Sequence, residues 1–336
     1  MLRGELSRQG ILYRESDYFI LRVPMPYNMS NNNAYLIETS DGWAAIDVGV
    51  DLPANREMWR MALKEVGIPF SYISKIYATH CHPDHLGAAG WLQSRSGAPV
   101  FLLEQEIQRA KRFIFMGPDF EADYFMAIKE ETDRHGFPEH IRKDLITDWH
   151  RQVAPLYPQP AEILPLKEGQ TVDLAGDDFQ VIQAPGHADG QFILWSPRRR
   201  HLFSADVLAD SYLHFSDWPN TLLENPLGSF LKVIDRLQTL GDIVVFPGHG
   251  PSFTDLGVRL TKLRRLHERR MEKILAGVKK PATAGEIYSP RTDLPDQVHL
   301  HRLVLGETLG YLTYLADQGY LARDYERGQV LFGPLV

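Results

Sequence analysis

The stretch Thr79-His80-Cys81-His82-Pro83-Asp84-His85 sets three imidazoles and a carboxylate within six residues, directly after the strand-like residues 73–78. Neutral imidazole and carboxylate are the donors that hold Zn²⁺, Mn²⁺ or Fe²⁺ in open, reactive sites. A strand end followed by a tight Pro-containing turn aims alternate side chains at one point. One histidine alone is most often an ordinary core or surface residue. Four donors at this spacing instead require a fold that brings further ligands to the same edge.

The same device recurs. Residues 179–184 read as a strand and run into Pro185-Gly186-His187-Ala188-Asp189-Gly190, where Gly186 and Gly190 permit the backbone turn that points His187 inward. Residues 201–204 lead into Ala205-Asp206, and residues 242–246 into Pro247-Gly248-His249-Gly250. From His85 the next donors follow after 102, 19 and 43 residues, so they converge only if each ends a strand at one edge of a layered sheet. Five histidines and two aspartates exceed what one tetrahedral ion takes; two ions bridged by a carboxylate and a water use all seven. Asp47, at the end of the strand-like residues 43–48, either orients a metal-binding loop or caps a turn. Cys81 is the single cysteine, which excludes an intrachain disulfide framework and makes it a neighbour of the metal or, in the favoured reading, a filler.

Around these turns the chain alternates as a β-meander over residues 10–50, with Asp41-Gly42 as a hairpin signal. Helical spacing follows over 55–66, ending at Gly67, then over 86–92, with a strand at 99–103. Residues 104–150 break the rhythm with a charged, aromatic-rich helical segment, and an insertion over about 104–160 is read as a lid, with Phe115 and Tyr124 as pocket candidates. Tyr212 and His214, soon after Asp206, are further candidates. The C-terminal part shows helices over 260–276, 283–288 and 300–317, then two short strands about the Glu326-Arg327-Gly328 turn.

With 336 residues, 44% of them hydrophobic, the chain can build one large domain and a small one. The net charge of −7 argues against a nucleic-acid-coating protein, although from Arg259 onward 13 basic residues face 9 acidic ones, leaving 23 against 34 before it. The first ten residues lack the apolar core of a signal peptide, and no window reaches the apolar length of a membrane span. A cytoplasmic protein with no membrane partner is expected.

In order, Asp47, His80-Cys81-His82-Pro83-Asp84-His85, Gly186-His187, Asp206 and Gly248-His249 resemble the shared motifs of the metallo-β-lactamase-fold hydrolases, over about residues 10–255. The one departure is Ala205, where a glycine often precedes the bridging aspartate. The resemblance implies an α/β fold, an αββα sandwich, with His80, His82 and His187 on one metal, Asp84, His85 and His249 on the other, and Asp206 bridging. The C-terminal helices and hairpin look like a winged helix, as in the branch similar to human β-lactamase-like proteins with such a module and to glyoxalase II-type hydrolases. The implied division is a catalytic domain over 1–257 and a winged-helix-like domain over 258–336.

Two divalent ions, Zn²⁺ first with Fe²⁺ or Mn²⁺ also suited, supply a hydroxide near neutral pH and polarise a carbonyl, while Asp84 orients the nucleophile or shuttles a proton. Identical ligands in this fold serve many reactions. The aromatic insertion favours a small, partly apolar ester, thioester or lactone. The alternative is a phosphodiesterase or ribonuclease using the basic C-terminal module, which the acidic main domain disfavours. A β-lactamase is less favoured without an export signal, and a degenerate binding protein because all seven ligands are present. A homo-oligomer stays open.

Overall fold

The computed structural model describes residues 5–6, 12–25, 31–113, 121–153, 158–209, 215–216, 218–219, 221–287 and 298–335. Phe115, Tyr212 and His214 lie outside them.

The first sheet runs β1 (Glu5–Leu6), β2 (Leu12–Glu15), β3 (Tyr18–Val23), β4 (Asn32–Thr39), β5 (Gly42–Ile46), β6 (Ile73–Tyr77), β7 (Val100–Leu103), β8 (Ile163–Leu166), in that spatial order. It is antiparallel from β1 to β5 and parallel from β5 to β8. The change follows from the connections, since a parallel neighbour needs a crossover. Helix α1 (Pro53–Val66) makes the first, opening with Pro at its first turn and closing at Gly67, whose φ of 82° only glycine adopts freely. Helices α2 (Pro83–Leu86) and α3 (Ala89–Ser96) make the second, and α4 (Glu104–Phe113), α5 (Glu121–Arg134) and α6 (Glu139–Val153) the third.

The second sheet holds β9 (Thr171–Leu174), β10 (Asp177–Gln183), β11 (Phe192–Ser196), β12 (His201–Ala205) and β13 (Val244–Pro247), in the spatial order β13-β12-β11-β10-β9. Only β12 and β13 are parallel, and α7 (Pro226–Gln238) crosses between them, its start capped by the Asn225 side chain accepting from Gly228 N at 2.8 Å. After α8 (Leu256–Gly277) come α9 (Ala284–Ile287), α10 (Val298–Asp317) and the hairpin β14 (Ala322–Glu326) and β15 (Gln329–Gly333), which Ala282 extends by an isolated bridge to Phe332.

The sheets stack face to face. Tyr35, Ile37, Ile46 and Tyr77 of the first interleave with Phe179, Val181, Phe192, Phe203 and Phe246 of the second. Because side chains alternate along a strand, Ala34 and Leu36 face the other way, into a layer with Trp59, Leu63 and Trp91 of α1 and α3. On the outer face of the second sheet Ile182, Ile193 and Leu202 pack with Phe230 and Ile234 of α7 and Leu260 of α8. This is the αββα sandwich. The insertion and the C-terminal elements join the first outer layer: Tyr124, Ile141, Leu145 and Trp149 share one buried cluster with Leu305, Leu309, Leu312 and Phe332.

The helix expected over 86–92 is instead two helices broken at Gly87-Ala88. Gly87 N still donates to Pro83 O, but Ala88 N leaves the helical ladder and donates to Gly49 O in the loop after β5 at 2.9 Å, so the turn that carries Asp84 and His85 does not run on into α3. Strand β8 and helix α7 carry no chemistry motif and were not anticipated.

Candidate metal centre

The candidate ligands sit where strands end. Strand β6 stops at Tyr77, and His80 and His82 follow in an extended turn before the single turn of α2 presents Asp84 and His85. His187 follows β10, Asp206 follows β12 and His249 follows β13. All seven are buried.

They form two groups. In the first, His82 Nδ1 lies 2.9 Å from His80 Nε2 and 3.0 Å from His187 Nε2. Nitrogens bound to one Zn²⁺ at its ~2.0–2.1 Å bond length sit about 3 Å apart. Burial, then the neighbouring imidazoles, pushes His80 well below the ordinary imidazole range, so it is held in the neutral form a metal takes. In the second group Asp84 Oδ2 lies 3.3 Å from His85 Nε2 and 3.2 Å from His249 Nε2. Asp206 faces both groups, with Oδ1 3.4 Å from His85 Nε2, and Oδ2 3.3 Å from His249 Nε2 and 3.4 Å from His187 Nε2. In each group the donor atoms lie within 4.8 Å of one another.

The electrostatics ask for cations. His85 Nε2 and Asp206 Oδ1 are buried 3.4 Å apart without forming a hydrogen bond, an arrangement that costs free energy unless an ion satisfies them. Burial alone would push His85 and His249 down; the carboxylates of Asp84 and Asp206 instead hold His85 well up and His249 at about 10. Burial likewise opposes ionisation of Asp84 and Asp206, and the facing imidazoles overcome it and keep both well below the usual carboxylate range. The donor set therefore fits two divalent ions.

A second tier fixes the rings. Asp47, at φ 52°, accepts from Thr79 N at 2.8 Å and pairs through Oδ2 with His85 Nδ1 at 2.8 Å, leaving His85 Nε2 for the centre. His249 Nδ1 faces Asn31 O at 3.1 Å, with the same result. The His249 loop belongs to the second sheet but is held by the first: Asn33 Nδ2 donates to Pro247 O at 2.9 Å and Gly250 O at 2.7 Å, and Tyr35 Oη to Pro247 O at 2.6 Å. Gln191 Oε1 accepts from Asp206 N at 3.2 Å. Sequence reasoning missed Thr79, Asn33, Tyr35 and Gln191; the available signal was polar side chains at inward-facing positions of apolar strands.

A side chain at Gly248 would fall on Asp206 Oδ1, which explains the glycine before His249. Gly186, at φ 135°, supplies the left-handed turn before His187. Gly190 has a different use from the one expected, since a side chain there would meet Gln105 Cβ at 2.7 Å and Glu106 N at 3.0 Å. Tyr124 is buried and stacks on Trp149, ring centroids 4.7 Å apart, in the packing of α5 on α6.

The family model of the metallo-beta-lactamase superfamily matches residues 28–249, the span from the strand that anchors the His249 loop to His249 itself. The chain belongs to the metallo-β-lactamase superfamily. Among its curated relatives, a probable metallo-hydrolase of Bacillus subtilis, YqjP, is 22% identical over 94% of this chain and 97% of its own. The hydroxyacylglutathione hydrolase GloC of Haemophilus influenzae is 24% identical over 69% of this chain and 92% of its own. The crystal structure of the metallo-beta-lactamase family protein TTHA1429 from Thermus thermophilus is 30% identical, with a TM-score of 0.78 over 96% of this chain and 99% of that one. A beta-lactamase domain protein from Burkholderia ambifaria shares the fold at a TM-score of 0.77. Both structural matches span the insertion and the C-terminal elements as well as the superfamily core. Among the described residues no helix is long and apolar enough to cross a membrane.

Proposed function

We propose that the protein is a dinuclear metal-dependent hydrolase of a small, partly apolar ester, thioester or lactone. The observation that carries this reading is the pair of adjoining donor groups, His80/His82/His187 and Asp84/His85/Asp206/His249, with two polar atoms of the second group buried without a hydrogen bond. In it His80, His82 and His187 hold one ion, Asp84, His85 and His249 the other, and Asp206 spans both. Divalent ions held there, Zn²⁺ foremost, supply an acidified water and a Lewis acid for the carbonyl.

The chain's own residues supply the rest. Asp47, Thr79 and Asn31 fix which ring nitrogens face the centre. The Asp84 side chain is 12% exposed against 4% for Asp206, so Asp84 is the carboxylate open to incoming substrate. It is placed to orient the attacking water and to carry a proton to the leaving group. The likeness to a hydroxyacylglutathione hydrolase, together with the aromatic insertion, favours a thioester among the three bond types.

The C-terminal elements follow the order helix, bridge strand, helix, helix, hairpin, which supports a winged-helix-like unit. Nucleic-acid readers of that kind keep the third helix open to the groove. Here α10 packs against α6, α7 and α8, and three of the α8 cations are engaged, Arg259 with Asp255, Arg264 with Asp235 and Arg270 with Glu307. We read the unit as a wall of the catalytic domain rather than a nucleic-acid module. Hydrolysis assays with acyl thioesters, acyl esters, lactones, a β-lactam and a bis-aryl phosphodiester test the reading. Turnover of acyl substrates is expected; turnover of the phosphodiester alone overturns it in favour of a nuclease.

A further inference from the structure

Helix α4 opens the insertion, and its first turns carry two ionisable side chains shut away from solvent beside the first donor group: Glu106 is 0% and Arg109 1% exposed. A charge so buried is costly unless every lone pair and proton is used. Glu106 uses both oxygens on backbone of the two ligand loops. Oε2 accepts from Cys81 N at 2.8 Å, between His80 and His82, and Oε1 accepts from Gly190 N at 2.8 Å, three residues beyond His187. The absence of a side chain at Gly190 lets α4 approach that loop. Arg109, one turn on, sets Nη1 2.8 Å from Cys81 Sγ and 3.4 Å from Glu106 Oε2, and Nη2 3.4 Å from His82 Nε2, the ring atom turned away from the centre. Burial alone would push the Glu106 carboxyl up, but the guanidinium and the two amides outweigh it and keep it below its ordinary value.

We propose that Glu106 and Arg109 are positioning residues that set the geometry of the first metal position: Glu106 ties the loop of His80 and His82 to the loop of His187, and Arg109 holds the Glu106 carboxylate and the Cys81 side chain in place. The two loops are about a hundred residues apart in the chain; Phe192 N donates to Thr79 O at 3.0 Å, and the carboxylate shared by Cys81 N and Gly190 N adds a second tie beside the first donor group. Glutamine cannot do this, because its amide nitrogen would face one of the two N–H groups. Metal ligands whose outer partners are removed typically lose ten- to a hundredfold in metal affinity. The pair meets the loops of the first group, while His85 and His249 are backed by Asp47 and Asn31. The effect is therefore larger on the first ion than on the second.

The inference rests on the dinuclear reading above, and its test separates the two. Metal-free full-length protein is titrated with Co²⁺, reading visible absorption and heat. Wild type is expected to take two ions with distinguishable spectra. Glu106→Gln, which leaves Arg109 less well paired, and Glu106→Gln/Arg109→Met, which removes both charges so that neither is stranded, are expected to bind the first ion ten- to a hundredfold more weakly, with an altered spectrum and a smaller change at the second ion. Arg109→Lys keeps the charge but not the two-pronged reach, and is expected to shift the first-site spectrum. First-site affinity and spectra that match wild type across these variants overturn the positioning role while leaving the metal centre intact. Equal weakening of both ions overturns it too, as general softening. Wild type that binds no Co²⁺ at His80, His82 and His187 overturns both readings.

Discussion

Asp47 does two things at once: it receives the Thr79 amide, which closes the turn after β6, and it holds the His85 ring by Nδ1. Asp47→Asn keeps an acceptor for Thr79 but removes the charge behind His85. It should weaken the ion at the second group about ten- to a hundredfold, read by competition with a chromophoric chelator, with a smaller effect on the first ion, because Thr79 Oγ1 lies 3.0 Å from Asp47 Oδ2 and 3.1 Å from His80 Nδ1. The raised imidazoles give a second prediction. In the metal-free protein His249 keeps its proton up to about pH 10 and His85 is held up as well, so an ion at the second group must displace both protons, and its affinity should climb roughly ten- to a hundredfold per pH unit between pH 7 and 9. Stability moves the other way. A group whose folded pKa is raised contributes stability that is complete below its ordinary value and is lost as pH rises through the folded one. Chelated protein should therefore unfold at progressively lower temperature from about pH 6.5 to about pH 10, and a flat profile would contradict the pairing of His249 with Asp84 and Asp206. Ala205 has φ 45°, a left-handed value that costs a residue with a side chain about 1 kcal/mol. Ala205→Gly should leave activity intact and range from neutral to about 1 kcal/mol stabilising, measured by thermal unfolding.

Among the elements, the strand ends were legible before the structure and the helices between them less so. A histidine or aspartate in a Gly- or Pro-bounded turn after an apolar run is a local pattern, which is why His80, His82, Asp84, His85, His187, Asp206 and His249 could be singled out as candidate donors. The brace from Asn33 and Tyr35 to the His249 loop joins residues more than two hundred apart, and nothing local encodes such a contact. The break between α2 and α3 was missed for the same reason, because it comes with the bond of Ala88 N to Gly49 O, nearly forty residues back in the chain. The C-terminal helices had a readable apolar period, but their partners did not: Leu312 is buried in one cluster with Ile141 and Trp149 of the insertion. Leu312→Ala should cost about 2–5 kcal/mol and lower the single unfolding transition of the whole chain. Deleting residues 258–336 should yield protein that fails to fold, since it strips α6 and α7 of their cover. A deletion variant that remains folded and hydrolytically active would mark the segment as an independent domain.

At the scale of the molecule, two sheets provide one edge, and loops from both sheets meet there. The first sheet contributes the His80–His85 turn and the second contributes His187, Asp206 and His249. The sandwich core of Tyr18, Tyr35, Phe203 and Phe246 therefore sets the distance between donors that no sequence neighbourhood could set, and burial in its mouth makes the facing charges strong. The substrate is less legible than the centre because Phe115, Tyr212 and His214 fall outside the described residues, and Tyr124 is occupied with Trp149. What decides the account is whether these seven residues hold two ions. The direct measurement is metal content per chain of protein purified without chelator, for wild type, His82→Ala and Asp206→Ala side by side. The account predicts about two equivalents in wild type and about one or fewer in either variant. Two equivalents retained in both variants would contradict it.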